Sequence, residues 1–101
     1  EPDDCIRRET EEETGYQVRE VKKIFEAYMS PGSVTEILHF YIAAYDPSMK
    51  VTDGGGVVQE EENIEVIEMT FTEAFDMIGK GEIKDAKTIM LLQYAKLNNL
   101  V

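Results

Sequence analysis

The pattern of apolar and polar positions predicts a helix at the start of the chain and strands after it. Residues 3–15 are strongly charged, Pro2 suits a first helical turn, and Gly15 suits the residue that ends a helix. Residues 17–28 change to a spacing typical of one or two strands. Residues 35–45 are almost continuously apolar, as expected for a central strand that is covered on both faces.

A loop is expected in the middle of the chain, over residues 50–63. It contains a glycine triplet at 54–56 and three consecutive glutamates at 60–62. The triplet lacks the Gly-Lys-Ser/Thr ending of a phosphate-binding loop, so a flexible lid is the preferred interpretation. The spaced apolar residues of 64–69 then predict another short strand.

Two helices are expected at the end of the chain. Thr70 or Thr72 can cap the first of them, and Asp85 can cap a second, largely apolar helix that we expect to pack against the sheet. The order helix, strands, helix, helix predicts an α/β fold with a mixed sheet and helices on both faces.

Composition and charge exclude several classes of protein function. Ten Lys and Arg stand against 21 Asp and Glu in 101 residues, giving a formal net charge of −11. This acidity excludes a sequence-independent nucleic-acid binder, which needs a surplus of cations for phosphates. No apolar stretch reaches the roughly 20 residues of a membrane-spanning helix. Cys5 is the single cysteine, so no internal disulfide can form, and we expect a cytoplasmic protein.

The strongest chemical pattern is a set of carboxylates in the first helix. Glu9, Glu12 and Glu13 occur at i, i+3 and i+4 and therefore share one helix face, where like charges repel. A hard divalent cation such as Mg²⁺ would offset that repulsion. Spacing alone leaves a solvated acidic helix equally open. His39, alone in an apolar strand, is more plausibly structural than catalytic.

The segment around these carboxylates resembles the second half of the Nudix box, G-x5-E-x7-R-E-U-x-E-E-x-G-U, where U is a bulky apolar residue. The matching residues are Arg8, Glu9, Glu12, Glu13, Gly15 and Tyr16. Thr10 departs from the pattern, because a larger apolar residue is usual there. The first glycine and first acidic residue of the box would precede Glu1, so the whole chain, 1–101, is expected to be the C-terminal part of a single Nudix hydrolase domain.

The resemblance extends over nearly the whole chain, through 28–32, the triplet at 54–56 and residues 81–88. These segments are similar to the ADP-sugar and GDP-mannose pyrophosphatase branch of the family, and most similar to its GDP-mannose pyrophosphatases. The resemblance implies an α/β/α sandwich lacking its N-terminal portion and a homodimer. It also implies Mg²⁺-dependent cleavage of a nucleoside diphosphate sugar, with GDP-mannose favoured and ADP-ribose second.

The resemblance also implies roles for individual residues. Glu9 and Glu13 would ligate the metal, Glu12 would ligate a further ion or support that shell, and Arg8 would orient the carboxylates by bidentate hydrogen bonds. In the acidic loop, Glu62 would complete the metal site. Glu60 would act as the water-activating base, and Glu61 would either contact substrate or take over as base. The remaining expected substrate contacts are Glu36 and Lys87.

A second hypothesis comes from a different class of protein. An acidic domain without catalytic activity could bind a divalent cation or a basic protein partner. This hypothesis is supported by the fact that the first half of the box lies outside the chain. The 101 residues alone are expected to be inactive. Calorimetry distinguishes the two hypotheses, since a binding module takes up Ca²⁺ without cleaving a substrate.

Overall fold

The computed structural model describes residues 2–29, 36–56 and 64–101. In chain order its elements are α1 (Pro2–Thr14), β1 (Lys22–Tyr28), β2 (Ile37–Ile42), a 3₁₀ helix (Pro47–Met49), α2 (Phe71–Gly79) and α3 (Ala86–Leu97). Helices and an antiparallel strand pair confirm the α/β class. The chain forms two compact units, Glu1–Val66 and Ile67–Val101.

The helix boundaries follow local sequence rules. Gly15 takes φ +83°, a left-handed conformation that costs glycine little, and its amide donates to the Glu11 carbonyl at 2.8 Å, closing α1. Thr70 caps α2 by accepting a hydrogen bond from the Glu73 amide at 3.2 Å. Asp85 caps α3, as predicted. None of the helices in the described ranges is long and apolar enough to cross a membrane.

The strands β1 and β2 pair antiparallel around a small core. A bulge at Ile24 interrupts the register, so Lys23 lies opposite Tyr41 whereas Phe25 lies opposite Phe40. The rings of Phe25 and Phe40 are 4.6 Å apart between centroids, and Phe40 is 4% exposed. Among the described residues of this unit, the other buried apolar side chains are Tyr16 and Val18.

Two expectations about the strands are wrong. Within the described residues β2 pairs with β1 alone and only Phe40 of β2 is buried, so these residues do not make β2 a central strand covered on both faces. Residues 64–70 form no strand. Their apolar spacing suits a strand, but a strand needs a ladder of bonds to a partner. Among the described residues, the backbone of 64–69 makes one bond to another segment, from the Ile64 amide to the Gly55 carbonyl at 3.2 Å.

The second unit consists of α2 and α3. The rings of Phe71 and Phe75 stack on α2 with centroids 5.4 Å apart, and Ala74 is buried. Asp85 holds the first turn of α3 through one carboxylate oxygen, which accepts from the Thr88 amide at 2.9 Å and from its hydroxyl at 2.8 Å. Packing of α3 against the sheet stays a prediction.

Candidate active site

Glu9 lies on the exposed surface of α1, one turn after Cys5. Its carboxylate accepts a hydrogen bond from the Cys5 thiol at 3.2 Å. The hydrogen bond to Glu9, and then the negative charge of that carboxylate, raise the pKa of the Cys5 thiol. The thiol therefore stays protonated near neutral pH and is a poor nucleophile.

Glu12 occupies the same face one turn further along. Its nearest described cation is Arg8, whose Nε is 3.8 Å from the Glu12 Oε1. This is a single long ion pair between half-exposed and exposed groups and not a bidentate hydrogen bond, so the expected orienting role of Arg8 is not observed. The Arg8 guanidinium lies toward Cys5, 3.6 Å from its sulfur.

Glu13 is half-buried in the last turn of α1, next to the glycine triplet. Its backbone carbonyl accepts a hydrogen bond from the Gly55 amide at 2.9 Å, and the Glu12 carbonyl accepts one from the Gly56 amide at 2.9 Å. These bonds satisfy carbonyl groups that a helix end otherwise leaves without partners. The triplet is therefore bonded to the helix that carries the carboxylates, and the expectation of a flexible lid is wrong.

A second set of backbone bonds strengthens this junction. The amides of Val51 and Thr52 donate to the Gly15 carbonyl at 2.7 Å and 3.2 Å. The Thr52 hydroxyl accepts a hydrogen bond from the Gly54 amide at 3.1 Å. Residues 51–56, which we call the strap, are thus fixed across the C-terminal end of α1.

The three glutamates of the acidic loop, Glu60, Glu61 and Glu62, lie outside the described residues. Both flanks of their segment are described. Gly56 is bonded to the Glu12 carbonyl, and Ile64 is bonded to the strap through Gly55. The residues on both sides of the acidic loop are therefore held near the last turn of α1, Gly56 directly and Ile64 through the strap.

Two of the predicted substrate contacts, Glu36 and Lys87, are described and lie in different units. Glu36 precedes β2 and is exposed, and its carbonyl accepts from the Met29 amide at 3.0 Å. Lys87 lies in the first turn of α3 with its Nζ 3.2 Å from the Asp85 Oδ1. Bonds from the Thr88 hydroxyl and amide, and then from Lys87, hold the pKa of Asp85 below its ordinary value. Each residue is accessible within its own unit.

His39 lies on the strand pair and faces solvent. Its side chain is 50% exposed, and its Nδ1 is 3.5 Å from the Glu26 Oε2 on the opposite strand. A structural, strand-facing role agrees with this cross-strand position, whereas a place in the core does not.

The donor set of α1 fits a hard divalent cation by its chemistry. Among the described residues, no group of three His, Cys, Asp or Glu side chains is already arranged to hold a metal ion. However, Glu9 is bonded to a neutral thiol and Glu12 to a distant guanidinium. A cation could therefore recruit these two carboxylates without breaking a close ion pair.

Comparison with known proteins agrees with the half-box on α1. The model of the NUDIX domain matches residues 1–92. The chain is 63% identical over 100 residues to a GDP-mannose pyrophosphatase of Yersinia enterocolitica, covering 99% of this chain and 51% of the relative. It is 54% identical over 101 residues to proteins of the same name from Escherichia coli O1:K1 and Shigella dysenteriae serotype 1, covering 100% of this chain and 52% of each relative.

The chain thus spans about half the length of the curated relatives it matches. The family match nevertheless covers most of the chain, including the carboxylate face of α1, the strand pair, the strap and the start of α3. The chain belongs to the Nudix family.

Proposed function

We propose that the protein is a Mg²⁺-dependent hydrolase of the pyrophosphate bond of nucleoside diphosphate sugars. GDP-mannose is the favoured substrate, giving GMP and mannose 1-phosphate, and ADP-ribose is the second. The observation that carries the proposal is the Nudix half-box on α1, with its last turn bonded to the strap that leads to the acidic loop. The names of the relatives support the substrate class.

The carboxylates of the chain divide into two groups in this proposal. Glu9 and Glu13 on α1, together with Glu62, would hold Mg²⁺, and Glu12 would support that shell. Glu62 precedes Ile64 by two residues in the sequence. Ile64 is bonded to Gly55, which is bonded to the Glu13 carbonyl. This connectivity supports a shared site.

When bound, Mg²⁺ would supply charge neutralisation of the diphosphate and stabilise the leaving phosphate. This matters here because a chain of formal charge −11 repels an anionic substrate. Glu60 would accept the proton of the attacking water, with Glu61 as its alternative or as a substrate contact. General-base catalysis of this kind contributes roughly 10²–10⁴-fold in rate.

The outer contacts are assigned by position in the chain. Glu36 and Lys87 are exposed and would contact substrate. The Lys87 ammonium is paired with Asp85, a weak surface interaction that an anionic ligand could replace.

A homodimer in the cytoplasm completes the proposal. Tyr28 and Ile37 are cross-strand neighbours that expose 70% and 43% of their surface, and a second subunit would bury such side chains. Light scattering on the purified protein measures the subunit number. A monomer at micromolar concentration would contradict the dimer and leave the hydrolase assignment intact.

The decisive experiment is hydrolysis of a substrate panel by the full-length protein with Mg²⁺. We expect release of mannose 1-phosphate from GDP-mannose, slower cleavage of ADP-ribose, and loss of both activities with EDTA. Failure to cleave any nucleoside diphosphate sugar, in a folded sample, would overturn the assignment. Calorimetric uptake of Ca²⁺ without cleavage would instead support an acidic binding module.

Two matched variants test the role of α1. We expect Glu13→Gln to lower kcat by several orders of magnitude and to leave the circular dichroism spectrum unchanged, because the amide removes an anionic donor from the metal shell. Glu11→Gln is the control, since it makes the same change in charge off the shared face. A near-normal rate for Glu13→Gln would remove Glu13 from the metal site.

A further inference from the structure

The strap and the end of α1 fit together through their backbones. Four amides of the strap donate to carbonyls of three residues at the end of α1. The donors are Val51, Thr52, Gly55 and Gly56, and the acceptors are Glu12, Glu13 and Gly15. Two of the acceptors are therefore carboxylate-bearing residues of the half-box.

Gly54 is a point of very close approach between the strap and the end of α1. A Cβ atom at this position would lie 2.6 Å from the Glu13 carbonyl oxygen, 2.6 Å from the Thr14 carbonyl carbon and 2.9 Å from the Gly15 amide nitrogen. All three atoms are backbone, so none can rotate away as the end of a side chain could. Gly54 also adopts φ +73°, in the left-handed region.

The other glycines of the chain show that this contact is specific. Gly81 has nearly the same dihedral angle, φ +75°, but a Cβ there would meet no atom within 4 Å. At Gly55 the nearest atom to a Cβ would be the Ile64 carbonyl oxygen, at 3.4 Å, which is an ordinary contact. Of the described glycines at 15, 54, 55, 79 and 81, an added methyl group collides with the backbone across the junction of strap and helix at Gly54 and Gly15.

We propose that Gly54 is a positioning residue for the carboxylates of Glu12 and Glu13. By allowing the strap to approach the helix, it lets the amides of 55 and 56 fix the peptide units from which these side chains project. Displacing the strap would release the last turn of α1, and the carboxylates would lose the fixed backbone that a metal site requires. The inference rests on the proposed metal-dependent hydrolase.

The test compares Gly54→Ala with Gly81→Ala in the full-length protein. Both substitutions place alanine at a positive φ, but only the first creates the backbone collision. We expect Gly54→Ala to abolish hydrogen-exchange protection of the amides of residues 55 and 56. We also expect the Kd for Mg²⁺ alone, measured by calorimetry, to rise about tenfold or more, and kcat to fall with little change in KM. Gly81→Ala should keep the amides of residues 55 and 56 protected and should stay within twofold of the parent in Kd, kcat and KM.

The Kd for Mg²⁺ is compared only between samples that circular dichroism shows to be fully folded, because partial unfolding would by itself raise the apparent Kd. The proposal would be overturned if a folded Gly54→Ala variant lost the hydrogen-exchange protection of residues 55 and 56 but bound Mg²⁺ with unchanged affinity. If Gly54→Ala does not fold, Thr52→Val decides the matter, since it removes only the hydroxyl that accepts from the Gly54 amide. We then expect a two- to fivefold rise in Kd, and no rise overturns the proposal.

These outcomes are distinct from those of the proposed function. A parent protein that binds Mg²⁺ with the expected dependence on Gly54 but hydrolyses no sugar nucleotide would refute the hydrolase and retain the positioning role. If the parent hydrolyses its substrate and Gly54→Ala leaves metal affinity and kcat unchanged, the hydrolase is retained and the positioning role of Gly54 is refuted.

Discussion

Replacing Gly15 with alanine should destabilise the protein far more than the same change at Gly81. A Cβ atom on Gly15 would lie 2.1 Å from the Thr52 carbonyl oxygen and 2.9 Å from the Gly54 amide nitrogen. Gly15 is buried and has φ +83°, whereas Gly81 is exposed, has φ +75° and would place its Cβ in open space. The dihedral strain is thus nearly matched, and the collision is present at one site only.

The expected magnitude follows from two contributions. An alanine in the left-handed region costs about 1–2 kcal/mol, which is the whole expected effect at Gly81. At Gly15 the strap must also move away, which breaks the bonds from Val51 and Thr52 to the Gly15 carbonyl. Each such bond contributes roughly 0.5–1.5 kcal/mol, so Gly15→Ala should lower the free energy of unfolding by about 2–5 kcal/mol in total.

Urea unfolding of the full-length protein, followed by circular dichroism, measures both changes on one scale. The slope of the free energy with urea should stay constant, so that the difference between midpoints reports stability alone. Equal losses for Gly15→Ala and Gly81→Ala would show that the strap does not press on the helix end as described. That result would also remove the structural basis of the role given to Gly54.

Local rules were enough to predict much of the fold. Gly15 ends α1, and Thr70 and Asp85 cap α2 and α3, because each depends on residues within one turn. The strand expected at 64–69 failed because a strand depends on a partner that is distant in sequence. For the same reason the contact of Gly54 with Glu13, about 40 residues apart, could not be predicted. A glycine at a buried backbone crossing and one in a flexible loop look alike in a sequence.

Two further predictions concern electrostatics. Because the folded pKa of Asp85 is lowered, its contribution to stability is present above the ordinary pKa of aspartate, about 4, and is lost as pH falls through the lower folded value. Asparagine can also cap a helix but does not titrate, so Asp85→Asn is the variant to compare. In urea unfolding, the difference in stability between the parent and Asp85→Asn should be constant above pH 5 and shrink below pH 4. A difference that does not change with pH would contradict this. On β1, the bulge at Ile24 brings Lys23 beside Glu26, and the hydrogen bond from Lys23 lowers the pKa of Glu26. In an NMR titration, Lys23→Met should raise the pKa of Glu26 toward its ordinary value. The control Lys22→Met should leave that pKa unchanged. Identical pKa shifts in both variants would rule out the direct contact.

The charge distribution of α1 also explains why the strap is needed. Asp3 and Asp4 lie in the first turn, where negative charge suits the helix dipole, but the last turn carries no basic residue and includes Glu12 and Glu13. Carboxylates at that end oppose the dipole and repel one another. The strap offsets this, because the amides it directs at the terminal carbonyls bring the positive ends of their dipoles to the negative end of the helix. The helix therefore carries its carboxylates where local electrostatics disfavours them, and this cost to stability supports the proposal that they bind a cation.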